Sequence, residues 1–291
     1  MKAFFGIIGH PVEHSLSPCF QQAAFDACGI DAAYVPMNLD PLRAEDTIFC
    51  LKELGVSGFN VTLPFKELAY RKVDQVLGIA SKIRSVNTVF LKDGKWEGYN
   101  TDVSGFVKSY SVFLEKSSEP ADHFIVLGAG GSARAVLEGL ASMGVSSVSV
   151  FNRSLERVQS LLKEFSSEKY ITLNELSKIK ASLDGKRWHI INTLSRNAFP
   201  VQGAFPPLET IEKSSVASVF DLSYGREGET ECVAWAKKRG VPFSDGLPML
   251  LFQGALSFEI WTGIPAPVKE MAKAMAKALP YRKDLMDQLS V

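Results

Sequence analysis

The stretch His123-Phe124-Ile125-Val126-Leu127-Gly128-Ala129-Gly130-Gly131-Ser132-Ala133-Arg134-Ala135-Val136 decides how this chain folds. Its apolar run reads as a buried strand, and a glycine-rich turn then opens a helix. Gly128 permits the tight turn, and Gly130 lets the backbone come close to a pyrophosphate. Ala133 fills the third slot and is small enough for the helix to pack on its strand. Backbone N–H groups at the helix start then face the anion, which makes Gly128, Ala129, Gly130, Gly131 and Ser132 candidate cofactor-binding residues. The next strand, Ser147-Val148-Ser149-Val150-Phe151, follows at βαβ spacing and runs into Asn152-Arg153-Ser154. A protein selective for NAD places an acid there to hold the ribose 2′-hydroxyl. Here Arg153, with Arg157 one turn later, offers positive charge for a 2′-phosphate, so the expected dinucleotide is NADP.

Around this unit the composition sets limits. A chain of 291 residues is long enough for two domains and a sizeable core. Lys plus Arg and Asp plus Glu both number 32, so no global field recruits nucleic acid or an anionic membrane, and a small ligand is expected. The start Met1-Lys2-Ala3-Phe4-Phe5-Gly6 lacks a signal peptide's apolar region, and no stretch is long enough to span a bilayer. Cys19, Cys28, Cys50 and Cys232 show neither metal-ligand spacing nor a dense disulfide pattern. They read as free thiols, and the expectation is a cytoplasmic globular protein without a metal.

Residues 1–103 read as strand and helix in alternation. Phe4–Gly9 is an opening strand, and the loop His10-Pro11-Val12-Glu13-His14-Ser15-Leu16-Ser17-Pro18 precedes a helix from about Pro18 to Gly29. In an extended loop the hydroxyls of Ser15 and Ser17 point the same way. Ser17 has a second reading as a plain helix N-cap. Ala33–Asn38 is a strand and Ala44–Leu54 a helix; the strand that follows ends at Thr62 and Pro64, with Lys66 just inside the next helix. A lysine there is either a snorkelling surface residue or an acid–base group, and a partner decides. Ser85–Phe90 is a further strand carrying Asn87. A turn at Lys92–Lys95 leads through Trp96–Tyr99 to Asn100-Thr101-Asp102. Asp102 is either the cap of a helix starting near Ser104 or the charged neighbour of Lys66.

Taken together, these motifs resemble the shikimate dehydrogenase family. The resemblance rests on His14-Ser15-Leu16-Ser17-Pro18, Asn60-Val61-Thr62-Leu63-Pro64-Phe65-Lys66, Val86-Asn87-Thr88, Asn100-Thr101-Asp102 and the glycine turn. It continues through Asn152-Arg153-Ser154, Asp221-Leu222-Ser223-Tyr224 and Asp245-Gly246-Leu247-Pro248-Met249-Leu250-Leu251-Phe252-Gln253. It implies an α/β protein of two domains with a cleft between them. Residues 1–103 and 247–291 would form a substrate-binding domain, and residues 104–246 a Rossmann-like NADP-binding domain. It also implies an NADP-dependent oxidoreductase that reduces 3-dehydroshikimate to shikimate, reversibly, in aromatic amino acid biosynthesis. Lys66 and Asp102 would be the catalytic pair. Ser15, Ser17, Thr62, Asn87, Asp102, Tyr224 and Gln253 would bind the substrate, and Leu222, Gly246 and Met249 would lie on the nicotinamide side. The residue types suit a small polyhydroxylated acid, since short polar side chains supply directional donors and acceptors.

In the remaining chain, Val158, Leu161, Leu162 and Phe165 read as the core face of a helix, and His189 as a core or surface histidine inside the strand Trp188–Thr193. Val216–Leu222 is a strand and Glu231–Arg239 a helix stopped by Gly240. Met271, Met275 and Leu279 form the apolar face of a tail helix. Four sites depart from the family pattern: Arg84-Ser85 before Val86, Val103-Ser104 after Asp102, Asn192-Thr193-Leu194-Ser195, and Gly225-Arg226 after Tyr224. The third is expected to weaken a cofactor contact. Two rivals remain: a quinate or quinate/shikimate dehydrogenase using NAD(P), and a noncatalytic NADP-binding regulator. The assembly is expected to be a monomer or homodimer.

Overall fold

The computed structural model describes residues 3–117, 123–154, 156, 158–159, 161, 171–175, 186–194, 206–209 and 211–282. Two compact units emerge, Met1–Gly105 with Leu250–Val291, and Phe106–Met249.

The first unit opens with β1 (Ala3–Gly9), whose Phe5, Ile7 and Ile8 are buried. Helix α1 (Ser17–Ala27) carries the chain over to β2 (Ala32–Asn38), and α2 (Ala44–Glu53) carries it to β3 (Gly58–Val61). Both strands pair with β1 in parallel, as crossover helices require. After α3 (Lys66–Lys72), β4 (Gln75–Val76) and α4 (Ile79–Ile83), a hairpin joins β5 (Thr88–Lys92) to β6 (Lys95–Tyr99). Asp93 and Gly94 turn it, both at positive φ (48° and 74°), the conformation a two-residue hairpin demands. The sheet order is β2-β1-β3-β5-β6-β4.

Helix α5 (Asp102–Ser117) leads into the second unit. There β7 (His123–Leu127) is followed by the glycine turn and α6 (Gly131–Ser142), then β8 (Val148–Asn152) and β9 (Ile171–Glu175). On the other side of β7 stand β10 (Trp188–Asn192), β11 (Val216–Asp221) and β12 (Phe243–Ser244), in the order β12-β11-β10-β7-β8-β9. Every pairing is parallel. Strands β10 and β11 are buried along their whole length, as strands covered on both faces are. The order reverses between β7 and β10, the switch point at which doubly wound sheets bind ligands beyond their carboxyl ends. Helix α7 (Glu231–Arg239) begins on Thr230, whose side chain accepts from Val233 N, and ends on Gly240 at φ 61°. Helix α8 (Leu247–Thr262) then returns the chain to the first unit, where α9 (Val268–Ala278) packs along α1 through Met271, Met275 and Leu279.

Three boundaries differ from the sequence reading. Helix α1 starts at Ser17 with Leu16 at the cap position and no side-chain cap bond, so Ser17 is not an N-cap. Helix α5 starts at Asp102 rather than near Ser104. The Asn100 carboxamide oxygen takes the N–H groups of Asp102 and Val103, so Asn100 is the cap, and the Asp102 carboxylate is left for other partners. Asn87 precedes β5 instead of lying within it, with its carbonyl accepting from Val61 N. His189 is buried in β10 with Nδ1 at 2.7 Å from Ser218 Oγ, a satisfied core histidine. Leu162 and Phe165 lie outside the described residues.

Candidate active site

Two loops with cis peptide bonds, His10-Pro11 and Leu63-Pro64, lie side by side at the carboxyl ends of β1 and β3, joined by His10 N donating to Leu63 O at 3.0 Å. Thr62 follows β3 with its methyl against Gly9, where a Cβ would come within 2.4 Å of it. Lys66 then opens α3, so its backbone is held by the helix while its side chain reaches toward α5.

There Lys66 Nζ meets Asp102 Oδ2 at 2.8 Å, with side-chain exposures of 15% and 7%. An ion pair this shielded retains far more of its Coulomb attraction than a surface pair. The second carboxylate oxygen, Oδ1, accepts from Asn87 Nδ2 at 2.9 Å, and Asn87 Oδ1 accepts from Thr101 N at 2.8 Å. Asn87 Nδ2 also reaches Thr101 Oγ1 at 2.9 Å and Gln253 Oε1 at 3.2 Å. Gln253 stands on α8 with its own amide donating to Leu250 O. Gly105, one turn along α5 from Thr101, lies so close to Gln253 that a Cβ there would come within 2.7 Å of the Gln253 Cβ. Lys66, Asn87, Asp102 and Gln253 therefore form one bonded group. A buried carboxylate whose oxygens are each taken by a directional donor is fixed in orientation, and it fixes the ammonium in turn.

Ser15 Oγ accepts from Ser17 N at 3.2 Å, which ties the two serines into one turn. Ser17 and Tyr34 are both buried. The network also contains residues that the motif reading did not assign a role: Thr101, Thr88, Asn60, Ser257 and Tyr34. Asn60 was a visible signal, an amide in the middle of a short buried strand. Tyr224 is half-buried on the loop after β11 in the second unit.

In the second unit Gly128 takes φ 111°, which disfavours any residue with a Cβ. Gly130 has open space where a Cβ would project, so its backbone is accessible to a close-lying group. Helix α6 starts immediately after it with no side-chain cap and no acid in its first turn, leaving N–H groups for an anion. Asn152 ends β8 with its amide on Ser154 O at 3.0 Å, and Arg153 between them is exposed. Positions 152–154 carry no carboxylate. Arg157 lies outside the described residues. Leu222 and Gly246 are in contact: a Cβ on Gly246 would fall 2.0 Å from Leu222 O, and Met249 follows in α8, largely buried. These features fit a dinucleotide with an extra phosphate on its adenosine ribose.

A shielded lysine–carboxylate pair among neutral donors and acceptors, in a chain that also builds a dinucleotide sheet, defines a nicotinamide-dependent oxidoreductase. Comparison with known proteins agrees. The family description "Shikimate dehydrogenase substrate binding domain" matches residues 7–89, "Shikimate / quinate 5-dehydrogenase" residues 115–237, and "Shikimate 5'-dehydrogenase C-terminal domain" residues 246–276. The NADP(+) shikimate dehydrogenase of Caldanaerobacter subterraneus subsp. tengcongensis is 37% identical over 264 residues, 89% of this chain and 91% of that one. Its counterpart from Bacillus cytotoxicus is 34% identical over 96% of this chain and 99% of its own. The crystal structure of the Thermus thermophilus enzyme in complex with NADP(H) and shikimate is 31% identical. It covers 95% of this chain and 100% of its own, with a TM-score of 0.76. The chain belongs to the shikimate dehydrogenase family.

Proposed function

We propose that this protein catalyses the NADPH-dependent, reversible reduction of 3-dehydroshikimate to shikimate, with Lys66 and Asp102 as the catalytic pair. The observation that carries this reading is the shielded 2.8 Å contact between them, braced by Asn87. When bound, reduced NADP would supply the hydride that the carbonyl carbon takes up. Negative charge then grows on the carbonyl oxygen, which the Lys66 ammonium stabilises and to which it gives a proton. Asp102 holds the ammonium in line, and Asn87 keeps Asp102 from rotating away. Gln253, Asn87 and Thr101 offer the neutral donors and acceptors that ring hydroxyls require. Ser15, Ser17 and Thr62 are assigned to the substrate's other polar groups, with Tyr224 from the second unit. Gly128, Ala129, Gly130, Gly131 and Ser132 are assigned to the pyrophosphate. Asn152, Arg153, Ser154 and Arg157 are assigned to the adenosine phosphate, and Leu222, Gly246 and Met249 to the nicotinamide side.

The test follows nicotinamide absorbance with shikimate, NADP against NAD, in wild type and Lys66→Ala. Turnover with shikimate and NADP is expected, and a fall in kcat of about 10²- to 10⁴-fold for Lys66→Ala, the usual worth of a positioned acid–base group. Wild-type turnover by Lys66→Ala would refute the assigned chemistry. Faster turnover of quinate than of shikimate would reassign the substrate.

A further inference from the structure

Asn192 and Asp221 end the neighbouring parallel strands β10 and β11 and face each other in register. Both are buried, and the partners of the Asp221 carboxylate are all neutral. Its Oδ1 accepts from Asn192 Nδ2 at 2.9 Å and from Ser223 N at 3.0 Å, and its Oδ2 from Thr230 Oγ1 at 2.6 Å. Each proton in this set has one place. An ionised carboxylate only accepts, so the end of the Asn192 amide that faces it is the NH₂. The other end confirms this, since Asn192 Oδ1 takes the Leu194 N–H at 3.1 Å. Thr230 gives its proton to Asp221 and accepts from Val233 N at 3.2 Å, while Ser223 gives its hydroxyl proton to Leu194 O at 3.2 Å. Main-chain bonds cross the same place: Leu222 N donates to Asn192 O at 2.9 Å and Gly246 N to Ser223 O at 3.1 Å. The loops that follow β10 and β11 are thereby joined into one rim with Asp221 beneath it.

We propose that Asp221 is a positioning residue for NADP: through Asn192 and Ser223 it fixes the backbone of Leu194 and Leu222 as one rim at the nicotinamide end of the dinucleotide site. The inference rests on the proposed assignment of Leu222 and Gly246 to the nicotinamide side. The rim stands at the carboxyl ends of β10 and β11, beside the switch point between β7 and β10. It is tied to the glycine turn as well, because Thr193 N and Oγ1 both donate to Leu127 O, at 2.9 and 2.8 Å. Asp221 itself is 1% exposed, so it acts through the groups it holds. A carboxylate buried among neutral donors is costly, and an amide or hydroxyl would accept from the same groups at less cost. What the charge adds is stronger, more directional bonds to both loops. Loops held in their bound form beforehand lose less freedom when the cofactor arrives, so the complex is tighter.

The experiment measures binding of NADPH and of 2′,5′-ADP by calorimetry, with thermal unfolding alongside. The second ligand carries the adenosine and its extra phosphate but no nicotinamide. Wild type is measured first, and absence of NADPH binding there would overturn the cofactor assignment itself. With binding established, Asp221→Asn and Ser223→Ala are each expected to weaken NADPH about fivefold, the scale of one hydrogen bond, and to leave 2′,5′-ADP within about twofold. Ser223 is half-buried and Ser223→Ala deletes only a hydroxyl, so this variant carries the test even where Asp221→Asn fails to fold. Ser223→Thr keeps the hydroxyl and should bind NADPH like wild type. Asp221→Asn and Ser223→Ala together should weaken NADPH by less than the product of their separate effects, because both loosen one rim. Equal losses for the two ligands would mark Asp221 as a support of the whole unit and overturn the inference. Unchanged NADPH binding in Ser223→Ala, or fully multiplicative effects, would overturn it too, while the cofactor assignment stands.

Discussion

Asp221 makes the pH dependence of stability a direct test of how the second unit is built. Its carboxylate is 1% exposed at the end of β11, yet it is held by three donors: Asn192 Nδ2 at 2.9 Å, Ser223 N at 3.0 Å and Thr230 Oγ1 at 2.6 Å. Burial outweighs those bonds and, with a smaller push from the Asp245 charge, raises its pKa from 3.8 to about 6. The folded state then binds the proton more tightly than the unfolded chain. The stabilisation from this proton is full below pH 3.8 and is lost as pH rises through about 6. Two units at 1.36 kcal/mol each give a total near 3 kcal/mol, of which about 1.5 kcal/mol is lost between pH 5 and 7.5. Asp221→Asn keeps the shape and an acceptor for Asn192 and Ser223 but has no proton to exchange. Urea unfolding at pH 5 and 7.5 should therefore show wild type losing about 1.5 kcal/mol more than the variant over that range. A carboxyl ¹³C titration should find one resonance that moves near pH 6 and is absent from Asp221→Asn. Parallel unfolding profiles, or a carboxyl that titrates in the ordinary range, would refute the argument that desolvation dominates here.

Three further outcomes follow from single residues. Tyr110, fully buried among Phe106, Phe113 and Phe220, has a hydroxyl with no hydrogen-bond partner among the described residues, so Tyr110→Phe should stabilise by about 1 kcal/mol in thermal or urea unfolding. Arg84 ends α4 at φ 50° and is exposed, so Arg84→Gly should leave stability unchanged or raise it by up to about 1 kcal/mol, and a clear loss would show that its side chain holds the α4–Ser85 turn. Arg153→Ala should raise KM for NADP about tenfold while sparing NAD, because one charge-assisted phosphate contact is worth roughly that; equal effects on both dinucleotides would remove Arg153 from the phosphate site.

The parts of this protein that were legible in its sequence are those written in local chemistry. A βαβ unit could be read from Ile125 to Phe151 because apolar runs, glycine turn and helix period all fall within one short stretch. The helix Glu231–Arg239 was legible to the residue, since its stop at Gly240 is a left-handed position that only glycine fills readily. What escaped reading depends on distant partners. Strand β9 has the mixed run Ile171-Thr172-Leu173-Asn174-Glu175, and it is a strand because β8 offers it a free edge. Asn87 looked like strand because Val86 and Val89 surround it, but its carbonyl is taken by Val61 and its side chain by α5 and α8. Asn60 and Ser257 are 197 residues apart, and no spacing rule connects them.

The departure at Asn192-Thr193-Leu194 gives Thr193 a structural place of its own beside the glycine turn. By the family pattern, Thr193 and Leu194 deprive the cofactor of a threonine. In the fold, Thr193 N and Oγ1 both bond to Leu127 O, at 2.9 and 2.8 Å, at the end of the strand that feeds the glycine turn. Thr193 Oγ1 would also lie 2.4 Å from a Cβ at position 128, with Leu194 Cδ2 at 3.3 Å from the same point. Gly128 is thus required twice over, by its φ of 111° and by the side chains closed against it. The Thr193 hydroxyl is part of the support under the glycine turn. It holds Leu127 and Gly128 in place, a role a polar side chain can take only when β10 lies beside β7.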